Sequence, residues 1–268
     1  MPCNATTYMH MLNYTEFGDH TPTDTNPALI IVHGLYGSGR NWGVVAKRLS
    51  DTRRVITVDM RNHGQSPRAT THSYLDMADD LAEMINHLNM PVDVCGHSMG
   101  GKAAMVLALQ NPTMLRRLIV ADIAPVEYSH TQQMFIDAMR AVDLTTLTRR
   151  SDAESQLAEA GVERALQSFF TQSLDVPNKR WRLNLDVLEA EMPKIIGWPD
   201  DVTGPFSGPT LFVSGGASDY VLPEHRAHIN SLFPAARFAK LPGAGHWLHA
   251  EKPREFVAAV DVFLSWRA

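Results

Sequence analysis

The chain alternates between short apolar runs and longer stretches in which apolar residues recur at helical spacing. The apolar runs are rich in Ile, Leu and Val, and they cover residues 28–32, 55–58, 92–95, 118–121 and 210–214. Continuous runs of this kind are typical of strands covered on both faces, as in a parallel sheet. Because helical stretches separate the runs and crossovers are right-handed, the pattern predicts an α/β fold with a mostly parallel, doubly wound sheet.

The helical stretches and two weaker strand signals complete this prediction. Helices are expected near residues 42–49, 73–88, 99–110, 223–232 and 253–266. The loose alternation over residues 8–17 predicts an edge strand or a hairpin, and residues 237–241 predict a short last strand. The predicted strands therefore extend from near the start of the chain to its last quarter.

The pattern changes between residues 126 and 204. This segment lacks strand-like runs, is rich in Ala, Leu, Gln, Arg and Glu, and has helical periodicity. It interrupts the alternation of strands and helices, which resumes with the strand predicted at residues 210–214. We therefore predict an α/β core formed by residues 1–125 and 205–268, with a helical cap inserted as residues 126–204.

The turn after the third apolar run has the sequence Gly96-His97-Ser98-Met99-Gly100. A Gly-x-Ser-x-Gly turn between a strand and a helix is the context of a nucleophile elbow, in which strained backbone holds the serine hydroxyl clear of the main chain. Neighbouring main chain comes so close that only glycine fits two positions before and after the serine. The N–H groups at the start of the next helix also favour negative charge there. Ser98 is therefore the predicted nucleophile.

His246 is the predicted base for this serine. A serine hydroxyl is a weak nucleophile, and histidine suits the role of base because its reference pKa is close to neutral. Among twelve histidines, His246 follows the last predicted strand and completes the Ser-acid-His order expected with this elbow. Acyl transfer also needs N–H donors for the developing oxyanion, and Met99 and Leu35 are predicted to supply them. Lys102, in the helix after the elbow, is interpreted as an ordinary solvated residue.

Composition and charge argue against several classes of protein, among them nucleic-acid-binding and membrane proteins. The 268 residues are 44% hydrophobic and 20% charged with a net charge of -5, so nucleic acid and anionic membranes are not expected partners. No apolar run is long enough to cross a bilayer and the first residues do not resemble a secretory signal, so we expect a soluble, cytoplasmic protein. Cys3 and Cys95 are too few for a disulfide framework. His225 and His228 share a predicted helix face without a third ligand, so no metal site is expected.

Five motifs together resemble the α/β-hydrolase family, and more narrowly its small cytosolic bacterial acyl esterases, which have a mitochondrial relative. The motifs are VHGLYGS at 32–38, VDMRNHGQSP at 58–67, GHSMGGK at 96–102, DIAP at 122–125 and GAGHW at 243–247. The similarity spans almost the whole chain and is weakest in the predicted cap. It implies an α/β-hydrolase fold with a helical lid. It also implies a serine carboxylesterase that forms an acyl-enzyme and needs no cofactor, with acyl thioesters as further substrates.

The resemblance leaves two candidates for the acid that orients the histidine. Most hydrolases of this fold take the acid from the loop after the penultimate strand, which is the position of Asp219. The subgroup instead takes it from the Asp-Ile-Ala-Pro motif, here Asp122, and has a serine at the position of Ser218 that assists the histidine. We predict Asp122 as the acid and Ser218 as the assisting residue, with Asp219 as the alternative acid.

The predicted cap is expected to set the choice of substrate. Its apolar side chains offer more apolar surface than a small helical insertion needs, which predicts an acyl-binding wall. These side chains are Met134, Phe135, Met139, Phe169, Phe170 and Trp181. The alternative is that these side chains only hold the cap on the core. Small-molecule esters or thioesters are the expected partners, and the sequence does not define the acyl chain length or the oligomeric state.

Three other functions stay open at this point. An acyl-CoA thioesterase would use the same chemistry, and its substrate's phosphates could meet cap cations, although such charge runs usually form a solvated face. These cations are Arg149, Arg150, Lys179, Arg180 and Arg182. A cofactor-free haloperoxidase or C–C hydrolase can share the same triad. A non-catalytic binding module is the third alternative, because a fold alone does not determine function.

Overall fold

A mostly parallel sheet forms the centre of the structure, a computed structural model that describes residues 11–266. In chain order the strands are β1 (Tyr14–Phe17), β2 (Ala28–Val32), β3 (Val55–Val58), β4 (Val92–His97), β5 (Leu118–Ala121), β6 (Leu174–Asp175), β7 (Arg180–Trp181), β8 (Thr210–Gly215) and β9 (Ala236–Leu241). Seven of them pair in the order β1-β3-β2-β4-β5-β8-β9. Within this sheet β1 is antiparallel to β3 and the other neighbours are parallel. The doubly wound α/β sheet predicted from the apolar runs is confirmed.

The five helices whose bounds the periodicity predicts are present to within a few residues, and the structure contains others besides. In chain order the helices are α1 (Gly43–Leu49), α2 (Tyr74–Leu88), α3 (Met99–Gln110), α4 (Gln133–Ala141), α5 (Arg150–Glu159), α6 (Arg164–Thr171), α7 (Leu185–Ala190), α8 (Met192–Ile196), α9 (Arg226–Leu232), α10 (Leu248–Glu251) and α11 (Pro253–Ser265). Helix α2 begins after Ser73, whose hydroxyl accepts a hydrogen bond from the Asp76 N–H while the Asp76 carboxylate accepts from the Ser73 N–H. The predictions for Cys3 and for the first part of the 8–17 strand lie outside the described residues.

Both faces of the sheet are covered, which explains why its strands are continuously apolar. In β2, Leu29 and Ile31 pack with residues of α1 and α11, whereas Ile30 and Val32 pack on the opposite face with residues of α2 and α3. Successive side chains of a strand point to opposite faces, so a strand covered on both sides needs apolar residues at every position. The β-branched and leucine side chains of these strands thus form two apolar layers that hold the strand ends in place.

Residues 126–204, which we call the cap segment, lie between β5 and β8 in the chain. The segment contains α4 to α8 and also the antiparallel pair β6–β7, with Leu174 opposite Trp181. The helical periodicity of the sequence did not predict this pair, because strands of two residues are too short to give an alternating pattern. Whether the segment is a separate domain with these boundaries stays a prediction. None of the helices within residues 11–266 is both long enough and apolar enough to span a membrane.

Candidate active site

The serine predicted as nucleophile lies in a strained turn between β4 and α3. Ser98 has backbone angles of φ 52 and ψ -122, a conformation that is costly for a residue with a side chain. A Cβ atom on Gly96 would collide with the carbonyl oxygen of Gly100, and one on Gly100 would collide with that of His33. The two glycines of the motif are therefore required by close main-chain contacts, as the sequence predicts.

A continuous line of hydrogen bonds joins the serine to a histidine and an aspartate. Ser98 Oγ lies 3.0 Å from Nε2 of His246, and Nδ1 of His246 lies 2.8 Å from Oδ2 of Asp122. Because an ionised carboxylate can only accept, Nδ1 donates to Asp122, and this tautomer leaves Nε2 free to accept from the serine hydroxyl. The arrangement brings together three groups that are far apart in sequence.

Asp122 is placed at the end of β5, where three donors surround its carboxylate. The residue is fully buried and has a positive φ of 50. Its Oδ1 accepts from the N–H of Gly215 at 2.8 Å, and its Oδ2 accepts from the Ser218 hydroxyl at 2.5 Å as well as from His246. Asp219, the alternative acid, is exposed, and no hydrogen bond or ion pair connects it to His246 within residues 11–266. Ser218 therefore faces the histidine–aspartate pair and its neighbour faces solvent.

Two residues that the sequence analysis did not identify hold His246 in position. The Tyr220 ring stacks on the imidazole with centroids 3.9 Å apart. On the other side, Nε2 of His97 donates to the carbonyl oxygen of His246 at 2.8 Å. Burial lowers the pKa of His97 well below its ordinary value, so the ring is neutral and supports the loop as a hydrogen-bond donor without adding charge. The one sequence signal for this role of His97 is its place at the end of the strand that leads into the elbow.

The two predicted oxyanion donors are main-chain N–H groups near Ser98. The N–H groups of Met99 and Leu35 make no hydrogen bond to another group in the described part of the chain. His33 supports the loop that contains Leu35, because its Nδ1 donates to Gly34 at 2.8 Å and its Nε2 accepts from the Met60 N–H at 2.9 Å. Burial lowers the pKa of His33, so its ring stays neutral and can accept at Nε2. Both N–H groups are thus available to an oxygen atom bound beside Ser98.

Ser98 and His246 open onto a largely apolar cavity of about 240 Å³. Side chains from the cap segment that line it include Phe135, Leu166, Phe169, Phe170, Ile195 and Ile196. Trp181 is not among the lining residues of this cavity. Its indole N–H instead donates to the carbonyl oxygen of Met139 at 2.9 Å, inside the cap segment. Of the six residues predicted to form an acyl-binding wall, the three phenylalanines therefore line the cavity, and Trp181, Met134 and Met139 do not.

Lys102 is buried, so its interpretation as a solvated helix residue is wrong. The side chain is 1% exposed, and its Nζ donates to the carbonyl oxygens of Ile196, at 3.0 Å, and Gly197, at 2.5 Å. These carbonyls end helix α8, where a positive charge is favourable. The ammonium group also lies over the rings of Tyr74 and Tyr128, 5.4 and 4.8 Å from their centroids. Lys102 therefore ties the helix after the elbow to the cap segment, through partners about 95 positions away in sequence.

The pH dependence of stability should reveal this buried lysine. Burial lowers the pKa of Lys102 to about 7, whereas a lysine of the unfolded chain titrates near about 10.4. Between these values unfolding takes up a proton, so raising the pH stabilises the folded protein. We expect the free energy of unfolding of the wild type, relative to Lys102→Met, to rise by at most about 1.4 kcal/mol per pH unit over this range.

Urea denaturation of both proteins between pH 7 and 9 measures this difference. Lys47→Met is the matched control, because Lys47 is an exposed lysine of α1, and its curve should run parallel to that of the wild type. A constant difference between wild type and Lys102→Met across the pH range would contradict the prediction.

No group of three or more His, Cys, Asp or Glu side chains is arranged to hold a metal ion in residues 11–266. His225 and His228, which the sequence placed on one helix face, are therefore not part of such a group. The reactive groups that the structure brings together are the serine, the histidine, the aspartate and the main-chain donors. This set can perform nucleophilic acyl transfer with its own side chains.

The chain is similar in sequence and in structure to known proteins. A family model described as the alpha/beta hydrolase fold matches residues 27–253. The mouse protein named sn-1-specific diacylglycerol lipase ABHD11 is 42% identical over 252 residues, which are 90% of this chain and 82% of the mouse protein. Esterase YbfF of Escherichia coli K12 is 36% identical over 242 residues, which are 90% of this chain and 94% of that protein.

A solved structure agrees with these sequence relatives. The protein described as a marine microorganism esterase superimposes with a TM-score of 0.89 at 36% sequence identity, over 95% of this chain and 99% of the other. A match of this extent covers the sheet, the strand ends and the cap segment together. The predicted resemblance to bacterial esterases is thereby confirmed.

Proposed function

This chain belongs to the α/β-hydrolase family, and from that premise we propose that it is a serine carboxylesterase with Ser98 as nucleophile, His246 as base and Asp122 as acid. The observation that carries this proposal is the hydrogen-bonded line from Ser98 Oγ through His246 to Asp122, at 3.0 and 2.8 Å, beside an apolar cavity. The names of its relatives, esterases and a lipase, support hydrolysis of ester bonds as the reaction class.

In the first half of the proposed reaction, Ser98 Oγ attacks the ester carbonyl carbon as His246 Nε2 takes the hydroxyl proton. The negative charge that develops on the carbonyl oxygen is held by the N–H groups of Leu35 and Met99. The imidazolium then gives its proton to the leaving alkoxy oxygen, and the carbon–oxygen bond of the ester breaks. An alcohol leaves, and the acyl group stays bound to Ser98.

In the second half, water replaces the alcohol. His246 takes a proton from the water, whose oxygen attacks the acyl carbon, and the proton returns to Ser98 Oγ as the carboxylic acid leaves. Asp122 keeps the imidazole in the required tautomer and stabilises its charged form. Ser218 assists by donating to the same carboxylate oxygen that accepts from the histidine, which holds that oxygen in line with Nδ1.

We further propose that the cap segment, residues 126–204, is an inserted helical cap and that it binds the acyl group. Its phenylalanine side chains on the cavity are Phe135, Phe169 and Phe170, and their apolar surface suits a hydrocarbon chain. The cap would then determine substrate choice, while the strand ends supply the chemistry. A cytoplasmic location, and the absence of nucleic-acid and membrane partners, stay predictions from the sequence.

A direct test combines covalent labelling with a substrate panel. A fluorophosphonate probe should label Ser98 in the wild type, and labelling should be absent when Ser98 is replaced by alanine. The enzyme should then hydrolyse p-nitrophenyl esters, and matched acyl-CoA thioesters measure the thioesterase alternative. A protein that neither reacts with the probe nor hydrolyses any ester would favour the non-catalytic binding module. A clear preference for the thioester at equal acyl chain length would replace the carboxylesterase by a thioesterase.

The role of the cap can be tested through Phe169, which is partly buried and lines the cavity. Removing its ring takes apolar contact from a long acyl chain but not from an acetyl group. We expect Phe169→Ala to lower kcat/KM for octanoyl esters by roughly tenfold, the lower end of the value of a buried phenylalanine, and to leave acetyl esters nearly unchanged.

Met134→Ala is the matched control, because Met134 is an exposed apolar residue of the same segment and does not line the cavity. Its chain-length profile should equal that of the wild type. An unchanged profile in Phe169→Ala would mean that this ring only holds the cap segment on the core.

A further inference from the structure

Three arginines from two distant parts of the chain line a second cavity, separate from the one beside Ser98. Arg68 lies in the loop between β3 and α2, Arg180 lies in β7, and Arg182 directly follows that strand. The cavity has a volume of about 320 Å³ and shares no lining residue with the catalytic cavity. We propose that this cavity, which we call the arginine cavity, binds a phosphate group.

The local fold explains why two of these arginines face the same way. Arg180 and Arg182 are directed together, because both contact Oδ2 of Asp175, while the side chain of Trp181 between them is directed to the other side. The indole of Trp181 accordingly donates to Met139 inside the cap segment. In the register of the β6–β7 pair, Asp175 is opposite Arg180. The Trp181 ring is thus buried in the cap segment, while the two arginines on either side of it in the sequence present their charges to the cavity.

The charge of the arginine cavity is positive. Asp175 is its acidic residue; it is buried and lies 3.5 Å from Arg180 and 3.4 Å from Arg182. Hydrogen bonds from Asn178, together with these arginines, lower the pKa of the Asp175 carboxyl, so it is ionised. Three guanidinium groups and one carboxylate leave a net charge of two positive units among the lining residues.

The arginines have donors that their protein contacts do not use. A guanidinium group carries five N–H donors. Arg68 uses one nitrogen, which donates to the carbonyl oxygens of Trp181 and Leu183 at 3.2 and 3.4 Å. These bonds hold the guanidinium of Arg68 where the loop after β3 meets β7, so the group is fixed in place before a ligand binds. Arg180 and Arg182 contact Asp175 through one nitrogen each.

A phosphate group fits these features better than other ligands. Planar guanidinium groups pair with phosphate oxygens through two parallel hydrogen bonds, and a phosphate monoester offers three oxygens to three arginines. Its double negative charge also matches the charge of the arginine cavity. The rest of the lining comprises Gly64, Trp181, whose indole N–H donates to Met139 in the cap segment, and the polar residues Asn62, Gln65 and Ser66. Polar side chains of this kind would not favour an acyl chain. The other three cap cations predicted to meet phosphates, Arg149, Arg150 and Lys179, do not line the arginine cavity.

The position of the arginine cavity allows two sources for this phosphate. Gln65 and Arg182 also line a smaller cavity of about 40 Å³ together with Gln172. The side chain of Gln172 accepts a hydrogen bond of 2.7 Å from Asn41, which lines the catalytic cavity. The hydrogen-bonded side chains of Asn41 and Gln172 therefore lie between the catalytic cavity and the arginine cavity. The phosphate can be free in solution, or it can belong to the alcohol part of an ester whose carbonyl is at Ser98.

Thermal unfolding in inorganic phosphate tests the site without any use of hydrolysis. The wild type should show a saturable rise in Tm that sodium chloride at the same ionic strength does not produce. Arg180→Gln, at a side chain that is 64% exposed and not needed for packing, should raise the half-saturating phosphate concentration by at least about tenfold. Arg68→Gln should do the same from the other side of the cavity.

The double variant Arg149→Gln/Arg150→Gln is the matched control, because it removes the same kind of charge from an exposed part of the cap segment. It should keep the phosphate response of the wild type. Equal effects of phosphate and chloride on the wild type, or an unchanged phosphate response in Arg180→Gln and Arg68→Gln, would overturn the proposal.

A matched pair of substrates identifies the source, and this part rests on the proposed function. The pair is a short-chain monoacylglycerol and the same molecule carrying a 3-phosphate. If the phosphate belongs to the substrate, Arg180→Gln raises KM for the phosphorylated ester alone and leaves kcat unchanged. If it is free phosphate, both KM values stay unchanged while the Tm response is lost. If neither ester is hydrolysed, the proposed function fails for these substrates, and the thermal measurement alone decides the phosphate site.

Discussion

The Ser98→Ala variant is expected to lose at least about 10⁴-fold in kcat for activated esters. The loss is large because the serine, the histidine and the acid act as a unit, and removing the nucleophile ends the acyl-enzyme route altogether. The remaining groups, the N–H donors of Leu35 and Met99 and the imidazole of His246, could only assist direct attack by water. Hydrolysis of p-nitrophenyl esters followed at several enzyme concentrations measures the residual rate.

The fold of this variant should be intact, which makes the loss interpretable. The strain at position 98 is in the backbone, with φ 52, and alanine meets the same restriction as serine at that angle. Circular dichroism and Tm should therefore match the wild type. Ser231→Ala, on the exposed side of α9, is the control for a serine-to-alanine change and should keep full activity. A folded Ser98→Ala protein with most of its activity would show that Ser98 is not the nucleophile.

The sequence could predict the sheet and the elbow because both depend on local pattern. Each strand of β2 to β5 is buried on two faces, so its apolar run marks it without knowledge of its neighbours. The glycines at positions 96 and 100 are equally readable, since no other residue fits the main-chain contacts of that turn. Where neighbouring residues alone determine the conformation, as in these strands and this turn, the sequence predicts the element to within a few residues.

The sequence could not predict features that depend on partners from the cap segment. A lysine in a helix is usually solvated, and nothing near Lys102 in the sequence indicates otherwise. The carbonyl oxygens that accept hydrogen bonds from its ammonium group belong to the end of α8, far away in the chain. Trp181 has the character of a pocket wall, yet its place in a two-residue strand directs the indole into the cap segment. The choice between Asp122 and Asp219 depends on which way a loop turns, and no local rule determines that.

The Asp122→Asn variant is expected to lose on the order of 10⁴-fold in kcat, because the amide would impose the wrong tautomer on His246. An asparagine has one acceptor where the aspartate has two. If its oxygen accepts from the Gly215 N–H as Oδ1 of Asp122 does, its NH₂ group faces Nδ1 of the histidine. Nδ1 must then accept, so the ring proton moves to Nε2, which can no longer accept from Ser98.

Two further variants make this result specific to Asp122. Asp219→Asn changes an exposed neighbour of the same loop region and should keep activity close to that of the wild type. Ser218→Ala should cost less than Asp122→Asn, because the carboxylate keeps its bonds to Gly215 and His246 and loses only the hydroxyl donor. All three proteins can be compared by kcat for one p-nitrophenyl ester, with Tm measured to exclude unfolding. Near-normal turnover in Asp122→Asn beside a collapse in Asp219→Asn would assign the acid to the loop after β8, which is the usual arrangement of this fold.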